Sequence, residues 1–535
     1  MMSAYLGETD MDRAAGTATL ADALTELKRS SGYSFQQIGD RAHLGRSTVH
    51  RYCSGQSVPA SFGTVELIAK VCGADRETLS RLYRLWEQAT GAEDAPAAAP
   101  VVEEPAPAPP AAEVPPKRHR WWLVAVAVVT AVVGVYAYLP EERTEVRPRR
   151  EISAPSWTFD PSPVSPEFVG VTLTGATGAM PSFPVGSVRL WDARTRWQGL
   201  EPERGRFDWT VLDRQLAGAA AEDLPVVYVF GGTPGWAAPN GPRTPYGDGS
   251  RSAPPDDLAD WERFVRTLVT HTDGRIESYE LWDVGTPPFF TGSLETLVEM
   301  TRIASGVIRE LDPDANVVCP GFTDLWEPAN QRVVQRFAEL GGYQHCDYVA
   351  VKLNPRRASD PPETMMDLAE EVEQTLARAR LEPALWATGW GPEVTQQARV
   401  DPELAADHAV RSYLVALWRW YDRSYSSSWG VPSQAGASTP NRAGLFLGEL
   451  HRWLADAEIT SCGHGVEAHL PDNVWQCRFL RRGTPFLIRW THEGTARVAP
   501  DPGTTTVRRL DGTSAPVDPA VPMEVTGRPV LLERG

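Results

Sequence analysis

The sequence WWLVAVAVVTAVVGVYAYL, Trp121–Leu139, divides the chain into two parts of different character. Its nineteen residues carry no charge, and a helix needs roughly 20 apolar residues to cross a bilayer. Tryptophan and tyrosine lie at its two ends, as is typical of side chains at a membrane interface. A long preceding segment argues against a cleaved signal peptide. The stretch therefore predicts a single transmembrane helix in contact with membrane lipid.

Composition and periodicity predict the regions on either side of this span. Residues 91–120 are rich in alanine, proline and glutamate, which predicts an extended, unfolded linker. A second linker of mixed charge and proline is predicted over residues 140–166. Residues 18–90 have the periodicity of short helices, residues 167–456 alternate strand and helix patterns, and residues 457–535 are β-rich.

The formal net charge of −17 argues against a chain that binds nucleic acid along its whole length. The N-terminal domain nevertheless has a local excess of basic residues, since Lys28 to Arg51 contains five Lys/Arg and one acid, Asp40. Within it, SFQQIGDRA (Ser34–Ala42) and RSTVHRYCSG (Arg46–Gly55) predict two short helices joined by a tight turn.

The second of these helices has the pattern of a DNA recognition helix. Val49 is expected to face the core, so that the polar residues around it point outward. The pair of helices resembles the Cro/C1 (Xre) family of phage repressors, which implies that the first helix crosses the DNA backbone. The alternative is a five-helix domain that uses the same face for a protein partner. The candidate DNA-binding residues are Gln36, Gln37, Arg46, Ser47, Thr48, His50 and Arg51.

The charges that flank the span do not determine its orientation, because arginine occurs on both sides. The resemblance does, since DNA lies in the cytoplasm. We therefore expect a single-pass protein of the cell membrane, with its N-terminus in the cytoplasm and its C-terminal domains outside. Cys53 and Cys72, on the cytoplasmic side, are expected to be reduced thiols.

Eight apolar strand patterns, each followed by a helix or a long loop, occupy residues 167–456. Strands of this kind alternating with helices predict a (β/α)8 barrel, whose sites form at the C-terminal ends of the strands. The expected strands are Phe168–Leu173, Ser187–Asp192, Val226–Phe230, Glu277–Asp283, Val317–Cys319, Tyr348–Leu353, Ala384–Thr388 and Tyr425–Trp429.

Three segments resemble the clan A glycoside hydrolases, in particular their β-xylosidase-like branch. They are VRLWDARTRWQGLEPERGRFDWTVLD (Val188–Asp213), FGGTPGWA (Phe230–Ala237) and GRIESYELWDVGTPPFFTG (Gly274–Gly292). Residues 457–535 are similar to the small β-sandwich that follows the barrel in these enzymes. The resemblance implies a pair of catalytic carboxyl groups, one that protonates the leaving oxygen and one that attacks the sugar.

Neither of these carboxyl groups is present at its family position. The family acid/base follows an asparagine at the end of the fourth barrel strand, where this chain has Asp283 and then Val284. The family nucleophile closes the seventh strand, where this chain has Gly389. Because valine and glycine can perform neither role, we expect an inactive barrel. The alternative is a membrane-anchored glycosidase that uses displaced carboxylates.

Aromatic and charged residues near the strand ends predict a saccharide cleft, in which aromatic faces pack against sugar rings. Each tryptophan of this set also suits a barrel core. The candidates are Arg189, Trp191, Trp236, Trp282, Asp283, Trp326, Trp390 and Trp429.

Six cysteines without CxxC spacing predict neither a disulfide scaffold nor a metal site, and no cofactor is expected. Cys462 and Cys477 flank a predicted β-hairpin and are positioned to pair. For Cys319 and Cys346, two buried thiols are expected rather than a bond.

Together these features predict a one-component regulator that binds DNA inside the cell and a saccharide outside it. A single helix transmits conformation poorly, so signalling is expected to require a homodimer or regulated proteolysis. A further alternative is a cell-envelope scaffold whose inner domain binds protein.

Overall fold

The computed structural model describes residues 19–42, 46–55, 57–59, 62–74, 76–91, 152–173, 175–191, 193–389, 401–432 and 438–535. The chain divides into two compact units, residues 1–141 and 142–535. The predicted span Trp121–Leu139 lies outside the described residues, as do the linker residues 92–120 and 140–151. Within the described ranges, no helix is both long enough and apolar enough to cross a bilayer.

The described part of the first unit is an all-α domain, as predicted. Ser34 begins the second helix with a capping box, in which Gln37 N donates to Ser34 Oγ and Ser34 N donates to Gln37 Oε1. Ile38 and Val49 are fully buried in the shared core. The helices are α1 (Leu20–Ser31), α2 (Phe35–Ala42), α3 (Arg46–Cys53), α4 (Phe62–Val71) and α5 (Arg76–Gly91).

The second unit contains the predicted barrel, a closed sheet of eight parallel strands with a helix after each strand from the second onward. The strands are β2 (Val169–Leu173), β3 (Ser187–Leu190), β4 (Val226–Val229), β5 (Ser278–Glu280), β6 (Asn316–Cys319), β7 (Tyr348–Val351), β8 (Ala384–Ala387) and β9 (Tyr421–Ser426). The helices are α6 (Trp197–Leu200), α7 (Thr210–Ala221), α8 (Leu258–Thr272), α9 (Leu294–Leu311), α10 (Pro328–Glu339), α11 (Met365–Arg378), α12 (Pro402–Trp418) and α13 (Arg442–Leu454).

The eighth barrel strand begins at Tyr421, four residues before its predicted start. Its first half is polar in the sequence. The structure accommodates Arg423 there because this side chain pairs with Glu277 through two 2.8 Å hydrogen bonds. The barrel closes where β9 pairs with β2, and a side chain on Gly170 would lie 2.3 Å from the ring of Tyr425. Glycine is therefore required at this point of closure.

The strands outside the barrel are β1 (Trp157–Pro163), β10 (Gly430–Pro432), β11 (Ser438–Pro440), β12 (Ala457–His464), β13 (Val474–Arg481), β14 (Thr484–Thr491), β15 (Ala496–Val498), β16 (Thr504–Arg509), β17 (Ser514–Pro516), β18 (Met523–Val525) and β19 (Val530–Arg534).

Seven of these strands form an antiparallel sheet, in the order β1-β12-β13-β14-β19-β16-β17. Its edge strand β1 comes from the predicted linker, which therefore ends earlier than expected. β1 pairs with β12, although the whole barrel lies between them in the sequence. β15 and β18 form a separate two-stranded ribbon.

Two disulfides lie in this unit. Cys462 and Cys477 are directly paired positions of β12 and β13 and form one of them. Cys319 and Cys346 form the other, so the expectation of two buried thiols is wrong. Their Cα atoms are 5.4 Å apart because the turn before β7 returns the chain to the end of β6.

The sheet packs against helix α12 of the barrel. Trp418 meets Trp475 edge to face with ring centroids 4.9 Å apart. Arg411, also on α12, forms a buried ion pair with Glu363, which accepts a further hydrogen bond from Trp490 of β14. A charged pair thus helps to join the sheet to the barrel.

Candidate functional site

Four charged side chains meet inside the barrel at the C-terminal ends of its strands. Arg189 of β3 donates to both carboxylate oxygens of Glu280 on β5, at 2.7 and 2.9 Å, and to Asp283 Oδ1 at 2.7 Å. Lys352, directly after β7, lies 2.7 Å from Asp283 Oδ1 and 3.4 Å from Glu280 Oε1. These contacts join strands that are not neighbours in the sheet, so they cross the barrel interior. We call this group the central ion cluster.

The central ion cluster is buried and balanced in charge. Its members are at most 7% exposed, and it contains two cations and two carboxylates. Lys352 also donates to Thr388 O and Thr388 Oγ1, at 3.1 and 3.2 Å. Burial alone would raise the pKa of Asp283, but Lys352 and then Arg189 outweigh it and hold this pKa below its usual value. Asp283 is therefore an ionised carboxylate at neutral pH.

The two family positions for catalytic glutamates lie beside the central ion cluster. Val284 directly follows Asp283 and is 3% exposed. Gly389 directly follows Thr388 with φ +115°, and a Cβ built on it would have Tyr425 O as its nearest neighbour, at 3.9 Å. Among the described residues, a side chain at residue 389 meets no closer atom, although its backbone conformation disfavours any residue except glycine.

The structure separates the predicted saccharide residues into different environments. Arg189 and Asp283 belong to the central ion cluster, where their polar atoms bind each other. Trp282 and Trp429 are buried, at 0% and 2% exposed, so they belong to the core rather than to an open cleft. Trp429 donates its indole hydrogen to Thr172 O.

The remaining predicted aromatics lie around the barrel. Trp191 is 7% exposed and packs edge-on against Tyr246, with Arg196 over its face. Trp236 is half-buried against Trp197, near the outer helices. Trp326 is half-buried and donates to Asn354 O, and Trp390 lies outside the described residues.

Lys352 is a site residue that the sequence analysis missed. The sequence does contain a signal for Lys352, because it is one of only four lysines in the chain and directly follows the apolar run YVAV of β7. A lone lysine that directly follows a buried strand requires a carboxylate partner nearby.

In the first unit, helix α3 presents most of its predicted DNA-binding face. Arg46, His50 and Arg51 are exposed, and Thr48 is half-buried. His50 packs edge-on against Phe35, with ring centroids 5.1 Å apart. The structure does not describe the side chain of Ser47.

Helix α2 contributes the two predicted glutamines, both of them exposed. Gln37 uses its side-chain oxygen to cap its own helix, so that atom is committed within the domain. Gln36 is the second residue of the same helix, one position before Gln37.

Comparison with known proteins agrees with these two folds. A family model described as a helix-turn-helix domain matches residues 19–82. A family 39 glycoside hydrolase from the gut symbiont Bacteroides cellulosilyticus WH2 has 14% identity and a TM-score of 0.50, covering 70% of this chain and 81% of that chain. A family 51 α-L-arabinofuranosidase from Bifidobacterium longum has 11% identity and a TM-score of 0.49, with 72% and 98% covered. No curated protein matches this sequence.

A family 30 endoxylanase from Clostridium papyrosolvens C71 has 10% identity and a TM-score of 0.49, covering 71% of this chain and 98% of that chain. At these identities the likeness concerns the fold alone. The chain therefore joins a helix-turn-helix domain to an eight-stranded barrel that resembles the glycoside hydrolase fold.

Proposed function

We propose that the protein is a membrane-anchored one-component regulator. Its N-terminal domain binds DNA in the cytoplasm, and its barrel, outside the membrane, binds a saccharide without hydrolysing it. One observation carries the proposal: a single chain combines a helix-turn-helix domain with a glycosidase-like barrel whose centre is occupied by its own ion pairs.

The exposed face of α3 supports the DNA-binding role. Arg46 and Arg51 supply positive charge, and His50 adds a further hydrogen-bonding group on the same short helix. Phosphate contacts from such residues position a recognition helix, and contacts to base edges give specificity.

The central ion cluster supports a barrel that does not hydrolyse glycosides. A glycosidase requires one protonated carboxyl group at neutral pH, and the lowered pKa of Asp283 disfavours that state. Glu280 is fully buried and holds Arg189 with both of its oxygens. Both carboxylates are thus bound to cations, which argues against catalysis by displaced carboxylates.

The cysteines support the proposed sides of the membrane. Both disulfides, Cys319–Cys346 and Cys462–Cys477, come after the proposed span, whereas the free thiols of Cys53 and Cys72 come before it. Disulfides persist outside the cytoplasm, and thiols stay reduced within it.

The test is capture of chromosomal DNA by the full chain in detergent, followed by sequencing and by affinity measurements at several salt concentrations. We expect enrichment of discrete sites, and at least a tenfold loss of affinity in an Arg46→Ala/Arg51→Ala variant. An Arg81→Ala/Arg84→Ala variant is the matched control, because it removes two arginines from the exposed face of α5 instead. Absence of DNA binding by the full chain would instead favour the scaffold that binds protein.

A further inference from the structure

A cavity of about 530 Å³ lies between barrel helix α12 and the loops of the C-terminal sheet. Asp407, His408 and Arg411 of α12 line one side, and His492, Gly527 and Arg528 line the other. Cavities between packed domains are frequent ligand sites. This one is separate from the central ion cluster, because no member of that cluster lines it.

Arg411 presents an unused edge of its guanidinium to this cavity. The side chain is 2% exposed, and its Nε and Nη2 atoms bind Glu363 and His492 O. Nη1 faces Gly527, where a built Cβ would lie 3.3 Å away. Nη1 donates to no residue within the described ranges, so a buried cation retains free hydrogen-bond donors at the cavity wall.

Other cavity groups supply both donors and acceptors. Trp475 Nε1 donates to His492 Nδ1 at 3.0 Å, which leaves the proton of a neutral His492 on Nε2, as a donor. Asp407 accepts from Arg528 Nε at 2.7 Å, and its carboxylate has further acceptor positions. Donors and acceptors that line one cavity suit neighbouring hydroxyl groups, each of which both donates and accepts.

The charges around the cavity argue against an anionic ligand. Arg411 is neutralised by Glu363, and Arg528 by Asp407 and Glu403. Glu403 also pairs with Arg442, and Glu493 adds a further carboxylate at the cavity wall. Three cations are thus set against four carboxylates, so a neutral ligand is favoured over a carboxylate or a phosphate.

We propose that this cavity, rather than the barrel mouth, binds a neutral saccharide of one or two rings. The inference rests on the saccharide-binding part of the proposed function and gives it a location. Binding here would bridge α12 and the C-terminal sheet, so a ligand would couple two parts of the second unit.

The test is calorimetric titration of the full chain in detergent with xylobiose, cellobiose, arabinose and N-acetylglucosamine, and with glucuronate and glucosamine as charged probes. Gly527→Val places a branched side chain against Arg411 Nη1, and Gly306→Val is the matched control because residue 306 has open space around it. Leu404→Trp, at an exposed helical position on the rim, narrows the cavity without touching the ion pairs.

We expect binding of at least one neutral sugar, at least tenfold weaker in Gly527→Val and in Leu404→Trp and unchanged in Gly306→Val. Binding that both cavity variants leave unchanged would overturn the inference but keep a saccharide receptor, with its site elsewhere. Binding of only charged probes, or of no probe, would overturn the inference as well. DNA capture, measured separately, shows whether the regulatory proposal survives that outcome.

Discussion

The ammonium nitrogen of Lys352 lies 2.7 Å from Asp283 Oδ1, and both side chains are almost fully buried at the end of the barrel interior. In a glycosidase this region would keep a carboxyl group free for substrate. Here the carboxylate is bound to cations on two sides, since Arg189 contacts the same oxygen at 2.7 Å. The interior therefore has the chemistry of a structural ion cluster.

Replacement of Lys352 by methionine should strongly destabilise the second unit. It leaves two buried carboxylates with one cation, and breaking a buried pair in this way costs about 3–5 kcal/mol of unfolding free energy. Denaturant unfolding followed by tryptophan fluorescence measures the change. Adding Asp283→Asn should recover part of the lost stability, because the central ion cluster then holds one cation and one anion.

The control for this prediction is Arg266→Met, which breaks an exposed pair with Glu310 on the barrel surface. Its cost should be below about 1 kcal/mol. Equal losses in the two variants would show that the buried cluster has no special role in stability.

Acidification should lower the stability of the second unit through His408. Burial lowers the pKa of His408 to about 4, whereas an exposed histidine has a pKa of about 6.5. Between these values the unfolded chain binds a proton that the folded chain does not, so stability is lost as pH falls through this window. From pH 7 to pH 5 the share of His408 is about 2 kcal/mol.

A His408→Asn variant isolates this share, because the half-buried His492 and His451 also have lowered pKa values and contribute to the same fall. We expect unfolding free energies of the variant to depend less steeply on pH by about 2 kcal/mol over that interval. An unchanged pH dependence would mean that folding does not lower the pKa of His408.

The two disulfides should stabilise the second unit by amounts set mainly by the loops they close. Cys462 and Cys477 are 15 residues apart, and loop closure of that length contributes about 3 kcal/mol. Cys462→Ala/Cys477→Ala should lower the unfolding free energy by that amount.

Alkylation without reductant should label only Cys53 and Cys72, and only after unfolding, because both thiols are buried. Labelling of Cys319 or Cys346 under those conditions would contradict the pairing.

Local patterns were sufficient to predict the architecture of both described units. Apolar runs such as VVYV in β4 predict buried parallel strands, and Ser34 with Ile38 and Val49 predicts the paired helices α2 and α3. The burial of individual tryptophans was harder to predict, because it depends on residues from distant parts of the chain. Trp282 and Trp326 look alike in the sequence, yet the first is fully buried and the second half-buried.

Contacts between distant segments were the main feature that sequence patterns could not supply. Strand β1 pairs with β12, some three hundred residues later, and no local pattern reports that pairing. Cys319 and Cys346 meet only because the turn before β7 returns to β6. Lys352 follows β7 and Asp283 follows β5, so their ion pair required the closed barrel.

The most direct test of the account is turnover of a panel of aryl glycosides by the full chain in detergent. An Asp283→Asn variant is assayed beside it, as is a Val284→Glu/Gly389→Glu variant that introduces carboxylates at the two positions where the family resemblance implies them. We predict no turnover above background by the natural chain, because neither carboxylate near its centre is free to act as an acid. Turnover by the natural chain that Asp283→Asn abolishes would contradict the account and identify a glycosidase that uses displaced carboxylates.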